Sequence, residues 1–307
     1  MDNKLVSIII PTFNRAHLIH ETLDSIIAQT YPLWECILVD DGSFDNTLNV
    51  LNSYAETDNR FKVFERPKDK PKGANSCRNY GFSISKGEYI NWFDSDDIMH
   101  PDFLKIKVAS FSKDVDCVIS KTNFIGSDGA FLKKESRTFD SNRLLEDFIC
   151  LKISWFTWDP MWKKSYLKGK DLFSENLLKG QDRDFHIRIL MDRAIRINFI
   201  DAYLCNYRQH EATITNDYST DVAFTIHENL KARILKLQSV DIDSDIILFV
   251  YIQLLKNYKI LKSNELETLK FCLKNRINSL LFYKWLIKYF VSIISFKITN
   301  RGEFILK

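Results

Sequence analysis

Two phosphate-binding signatures are missing from this 307-residue sequence. No GxGxxG follows the first strand-like run and no GxxxxGK(S/T) occurs anywhere, so neither a Rossmann dinucleotide site nor a P-loop is expected. Paired cysteines are missing too. Cys36, Cys77, Cys117, Cys150, Cys205 and Cys272 are dispersed without a CxxC, which reads as buried free thiols in a reducing compartment. No basic n-region precedes the first apolar run, and Pro11 interrupts that run early, so a secretory signal is not expected and a cytoplasmic chain is. Nor is there a large excess of one charge: the formal net charge is +3. That small value hides an asymmetry. The first 230 residues carry 29 Lys/Arg against 34 Asp/Glu (−5), while 231–307 carry 14 against 6 (+8). An acidic body with a basic tail argues against nucleic-acid binding and favours an anionic partner for the tail.

What is present is an alternation of strands and helices. The run 4–11 (KLVSIIIP) is almost continuously apolar, as in a strand buried on both faces, and 11–15 (PTFNR) reads as a loop. A helix fits 17–29, with Leu18, Ile19, Leu23, Ile26 and Ile27 at helical spacing. Strands follow at 35–39 and 61–64, and Asp45 and Thr47 open a helix between them. The segment 73–85 is a loop running into a helix, and 87–93 (GEYINWF) is a fourth strand. Such an order predicts an α/β fold with a mainly parallel sheet, whose ligands bind at the carboxyl ends of the strands. Further on, 116–120 reads as a strand, 122–125 and 130–132 as a hairpin, and 185–191 as a helix.

The fourth strand ends in Asp94, Ser95, Asp96 and Asp97. Three carboxylates within four residues repel one another unless they are well solvated or share a cation. Hard ions such as Mg²⁺ or Mn²⁺ prefer carboxylate oxygen and leave positions for water and phosphate. A polar turn capping the next helix is the alternative reading of the same residues. The strand-end rule sets 11–14, 40–41 and 94–97 on one rim, which favours a metal–phosphate site.

Five segments occur in order: SIIIPTFNR at 7–15, VDDGSFDNT at 39–47, RNYG at 78–81, GEYINWFDSDD at 87–97 and GQDRDF at 180–185. Together they resemble family 2 inverting glycosyltransferases of the GT-A fold, over roughly the first 215 residues. The resemblance implies a Rossmann-like mixed, mainly parallel sheet flanked by helices, with a helical C-terminal extension. It implies a domain over 1–218 (a nucleotide-sugar half, 1–110, and an acceptor half, 111–218) and a helical region over 219–307.

The resemblance also implies roles. Asp94-Ser95-Asp96 would be the DXD motif, with Asp96 a ligand of Mn²⁺ or Mg²⁺ and Asp94 shared between metal and ribose. Pro11, Thr12 and Asn14 would pack the nucleoside. Asp41 would accept the imide N–H of uracil, favouring a uridine or thymidine donor, while Asp40 would shape the turn. Arg78 would pair with the diphosphate or with Asp40 and Asp41. Asp97 would face the acceptor or cap a helix. Of the cluster Trp155, Trp158 and Trp162, which core packing could also explain, Trp158 or Trp155 would stack on an acceptor sugar, and His210 would complete the metal shell or contact the diphosphate. Asp182 would be the base that takes the acceptor's proton, beside Gln181 where the family usually has Glu. The implied partners are a nucleotide-diphosphate sugar and a saccharide or lipid-linked acceptor in surface-polysaccharide assembly. A nucleotidyltransferase would need a basic, Gly-rich phosphate loop, and PTFNR is a poor one. Gln181 invites a third reading, a non-catalytic binding module.

The tail, 222–307, reads as helices. Within it 278–298 is long and apolar, yet Lys284, Lys288, Ser292 and Ser295 draw a polar stripe along it. Two lysines at a bilayer centre are costly, so peripheral contact at the inner face of the membrane is expected rather than a span.

Overall fold

The computed structural model describes residues 4–136, 142–192, 194–209, 219–257 and 265–299. The chain divides into two compact units. The first comprises Met1–Asp140, Ser154–Glu175 and Gln181–Thr213; the second comprises Ser141–Ile153, Asn176–Gly180 and Ile214–Lys307. The boundary expected at 218 falls outside the described residues. Nothing in the sequence had assigned the short segments 141–153 and 176–180 to the second unit.

In chain order the first unit begins β1 (Val6–Thr12), α1 (Ile19–Ile27), β2 (Trp34–Asp40), α2 (Thr47–Thr57), β3 (Phe61–Glu65), α3 (Ala74–Ile84) and β4 (Tyr89–Trp92). Then come β5 (Ile98–Met99), α4 (Phe103–Ala109), β6 (Cys117–Ile125) and β7 (Phe131–Lys134). The second unit contributes α5 (Leu144–Ile149), after which the first resumes with β8 (Pro160–Lys163), α6 (Lys164–Leu167), α7 (Gln181–Leu190) and β9 (Ile197–Arg208). One sheet runs β3-β2-β1-β4-β8-β6-β9-β5, with β7 paired to β6. β1 to β4 are mutually parallel, and β8 joins β4 antiparallel.

The apolar run of β1 explains its central place. Val6, Ile8, Ile9 and Ile10 are all inaccessible to solvent, as a strand covered on both faces requires. Ile8 and Ile10 join Ile19, Leu23 and Ile26 of α1 in the main core. The expected strand at 116–120 and the first hairpin arm at 122–125 prove to be one continuous strand, β6. Its register against β9 shifts around Lys121, which bends it without ending it.

The second unit holds α5, α8 (Thr220–Leu237), α9 (Ser244–Lys256), α10 (Glu265–Lys274) and α11 (Leu280–Thr299). Tyr251 of α9 packs edge-on against Phe282 of α11, ring centroids 4.9 Å apart. Phe282, Leu286, Tyr289 and Ile293 recur at intervals of four and three, so one face of α11 is buried. Among the described residues no helix is long and apolar enough to cross a membrane.

Candidate active site

Parallel pairing brings the carboxyl ends of β1, β2 and β4 to one rim, and Thr12 lies opposite Asp40 in the register. Pro11 is part of β1, paired with Val39, and not the start of a loop as its sequence context suggested. Its missing N–H has a consequence. Phe93 donates its N–H to the carbonyl of Ile9, and the next bond toward β4 would come from residue 11. Proline cannot make it, so the β1–β4 ladder stops there and the chain is released to turn at Asp94.

The loops beyond β1 and β2 are tied together. Asn14 adopts φ 51°, its N–H donates to Ser43 Oγ at 2.9 Å and its side-chain oxygen accepts from the Phe44 N–H at 3.0 Å. Asp40 shapes the turn as expected, accepting from the N–H groups of Gly42 and Ser43 at 2.9 and 2.8 Å. Asp41 is buried and ion-paired with Arg66 at 2.5 Å. The Thr12 hydroxyl is buried with no hydrogen-bond partner among the described residues.

The acidic stretch separates into three environments. Asp94 accepts from Arg78 at 2.8 Å; Arg78 is buried and turns to Asp94, where Asp40 and Asp41 had been the expected protein partners. Asp96 lies 3.4 Å from Arg15 and keeps part of its carboxylate exposed. Ser95 is buried between them in sequence. Asp97 is wholly buried: Oδ1 accepts from the Arg208 N–H at 2.9 Å, and Oδ2 has no hydrogen-bond partner among the described residues. Strand β5 follows it, so neither the acceptor-facing role nor the helix cap fits; Asp97 is an internal tie to β9. Burial first, then the charges of Asp96 and Asp94, push its carboxyl well above the ordinary carboxylate range. Burial also raises the carboxyl of Asp94, with Arg78 opposing and Asp96 adding to the rise.

Asp182 opens α7, where its Oδ1 accepts from the Arg183 N–H at 2.7 Å. Burial raises its carboxyl; Arg78 lowers it and Asp94 raises it, so residues 88 positions apart in sequence act on one electrostatic site. Trp158 is not there as an open platform. It is buried, stacked with Phe156 and Tyr207 at 4.7 and 5.2 Å, and its indole N–H donates to Thr122 Oγ1 at 3.0 Å. Its place is the core: it lies in the turn that leads into β8, and that turn folds it against Phe156 and Tyr207. His210 lies outside the described residues.

Three arginines were missed. Arg66 follows the end of β3, a rim position that the strand-end rule could have flagged. Arg15 pairs with Asp96. Arg208 ends β9 fully inside the protein and ties it to three other segments through four bonds: its backbone N–H to Asp97, Nε to the carbonyl of Asp96 at 3.2 Å, Nη1 to that of Ser127 at 3.0 Å, and Nη2 to Glu21 at 2.5 Å.

Among the described residues, no group of three or more His, Cys, Asp or Glu is gathered to hold a metal ion by itself. The donors nevertheless suit a hard cation that draws most of its shell from phosphate and water. Asp96 retains exposed carboxylate, and Asp94 beside it is held above its ordinary range by burial and by that neighbour.

A sequence profile described as "Glycosyl transferase family 2" matches residues 7–173. The chain belongs to glycosyl transferase family 2. It is 29% identical over 274 residues to "Glycosyltransferase GlyG" of Streptococcus pneumoniae, covering 84% of this chain and 88% of that one. It is 33% identical over 217 residues to the poly(ribitol-phosphate) beta-glucosyltransferase of Bacillus spizizenii, covering 69% of this chain and 31% of that one. Among solved structures it is similar to S. aureus TarS 1–349 in complex with UDP-GlcNAc. There the TM-score is 0.64 at 20% identity, over 98% of this chain and 83% of that one. The fold is thus the GT-A glycosyltransferase fold with a helical C-terminal region, and a family 2 chain is a glycosyltransferase.

Proposed function

We propose that the chain transfers a sugar from a uridine-diphosphate donor to a hydroxyl of a saccharide or lipid-linked acceptor, with inversion, in the assembly of a surface polysaccharide. The observation that carries this is that the Arg78–Asp94 ion pair, 2.8 Å long at the end of β4, also acts electrostatically on Asp182 at the start of α7. Asp182 takes the proton from the acceptor oxygen as that oxygen attacks the anomeric carbon. A single carboxylate serves a single displacement, and no glycosyl-enzyme is needed.

Asp41 accepts the imide N–H of uracil, with Arg66 holding the carboxylate in place. Pro11, Thr12 and Asn14 form the nucleoside's floor; the buried Thr12 hydroxyl is a hydrogen-bond group for it. Asp96 and Asp94, with His210 in reserve, would hold Mn²⁺ or Mg²⁺, which when bound neutralises the diphosphate as it leaves. Arg78 and Arg15 hold these carboxylates from the protein side and Ser95 spaces them. The glucosyltransferase relative of Bacillus spizizenii acts on poly(ribitol-phosphate) by its name, which supports a polysaccharide acceptor. The domain division follows this reading, with donor residues before 110 and the base after it. The same reading puts the reaction at the inner face of the membrane, where a lipid-linked acceptor would be met.

A thermal-shift screen of UDP-, GDP- and dTDP-sugars with and without Mn²⁺, followed by donor-hydrolysis assays, tests the proposal. Stabilisation by UDP-sugar that needs Mn²⁺ and disappears in Asp96→Asn is expected. Stabilisation by a guanosine donor alone would overturn the assignment of Asp41, and binding without hydrolysis or transfer would favour a non-catalytic module.

A further inference from the structure

Helix α11 has two apolar faces and only one of them is used. Phe282, Leu286, Tyr289 and Ile293 are buried in the second unit. Turned about 120° from that face, Leu280, Tyr283, Ile287, Phe290, Val291 and Ile294 stand exposed, Leu280 at 75% and Ile287 at 64%. At 100° per residue these six fall within an arc of about 100°, and they run about 21 Å along the axis. Scattered exposed leucines need no explanation; six large apolar side chains on one arc do.

The arc has a charged border. Lys284 and Lys288 follow it on one side of the helix and are exposed. Beyond the lysines in angle come Leu281, 49% exposed, and then Trp285, half-buried, with Lys288 Nζ 5.0 Å and Lys256 Nζ of α9 5.4 Å from its ring centroid. An apolar strip edged by lysines around a tryptophan matches the layering of a bilayer interface: acyl chains below, anionic headgroups beside. A second copy of α11 is a poorer match. The helix contains no Asp or Glu, so two copies packed by this strip bring lysines together with no counter-charge from either helix. A membrane span does not fit either, since Lys284, Lys288 and Lys297 all lie within its 20 residues.

We infer that the exposed arc of α11 docks the protein, lying flat, in the headgroup–acyl boundary of an anionic bilayer. This rests on the peripheral-membrane part of the proposed function and names its surface and its lipid class.

Co-sedimentation of the full chain with vesicles of phosphatidylcholine alone, or mixed equally with phosphatidylglycerol, tests it. Donor hydrolysis is measured on the same samples. The wild type should bind the anionic vesicles at least tenfold better than the neutral ones, and lose most of that preference at high salt. The double variant Ile287→Glu/Ile294→Glu should lose binding tenfold or more while still hydrolysing donor. Lys284→Glu/Lys288→Glu should abolish the anionic preference. Both variants alter exposed positions and should keep the wild-type circular dichroism. Failure of the wild type to bind anionic vesicles, or binding that survives Ile287→Glu/Ile294→Glu, would overturn the inference. A concentration-dependent dimer abolished by that variant, with no vesicle binding, would assign the arc to a second copy instead. Loss of hydrolysis in every sample with vesicle binding intact would sink the transferase reading and leave this one standing.

Discussion

A carboxylate that accepts a proton works only when ionised, and Asp182 sits where ionisation is resisted by burial. Its raised pKa has a definite sign. The basic form is present above the folded pKa and is lost as pH falls through it, so the acid limb of kcat/KM should lie above the ordinary aspartate value of about 3.9. Asp182→Asn should lower kcat by about 100- to 10,000-fold while calorimetry shows UDP binding within a few-fold of wild type. Transfer retained in that variant would remove Asp182 from the role of base. Arg66 belongs to the same scale. Arg66→Ala strips Asp41 of a charge-assisted bond, and UDP affinity should drop by about tenfold, the worth of one such bond. An equal drop in GDP affinity would show that Arg66 acts on the diphosphate and not through the base.

Among the elements, β1 and β4 set the geometry on which those residues depend. Where they enter the sheet, the spacing is so tight that only glycine fits at 87. A Cβ there would lie 2.6 Å from the Ser7 backbone nitrogen and 2.8 Å from the Tyr89 carbonyl. Gly87→Ala should therefore destabilise the protein by about 1–3 kcal/mol, read as a lower urea midpoint with unchanged slope. At the other end of the sheet, Arg208 staples β9 to the acidic turn and to α1. Arg208→Ala removes the donor to two part-buried carbonyls and the partner of Glu21, and should cost about 1–2 kcal/mol. Because it frees the turn that carries Asp96, it should also raise the Mn²⁺ concentration needed for UDP-dependent stabilisation.

How legible these features were follows from their range. The strand at 4–11, the helix at 17–29 and the acidic strand ends could be read because each is written in consecutive residues. Asp40 could be given its turn because its partners, Gly42 and Ser43, are its neighbours. Asp97 could not: its tie to Arg208 spans 111 positions, and locally it looks like a cap. Trp158 misled for a related reason, since an aromatic that fills a core and one that faces a sugar look alike until the sheet is assembled. The two-residue β5 is too short to carry any period at all.

For the molecule as a whole, two buried histidines set an acid limit. Burial pushes His186 down to about 3 and His227 down to about 4, from an ordinary value of 6.5. Both are neutral when folded and protonated when unfolded between those values. Stability is therefore intact above 6.5 and falls as pH drops toward 3 for the first and toward 4 for the second. Each ring contributes up to about 1.4 kcal/mol per pH unit within its window. Urea midpoints measured at about pH 7.5 and about pH 5 should differ accordingly. Equal midpoints would mean that the rings gain protons in the folded state.

The second unit is assembled from three stretches of chain, two of which are short passages inside the sequence of the first. Recombination between relatives therefore has no single clean seam. A crossover at 213 would exchange Ile214–Lys307 but leave behind Ser141–Ile153 and Asn176–Gly180, and the latter ends two residues before Asp182. A chimera that borrows another enzyme's C-terminal helices must import those two passages as well. The segment leading into Asp182 is then inherited along with the helices.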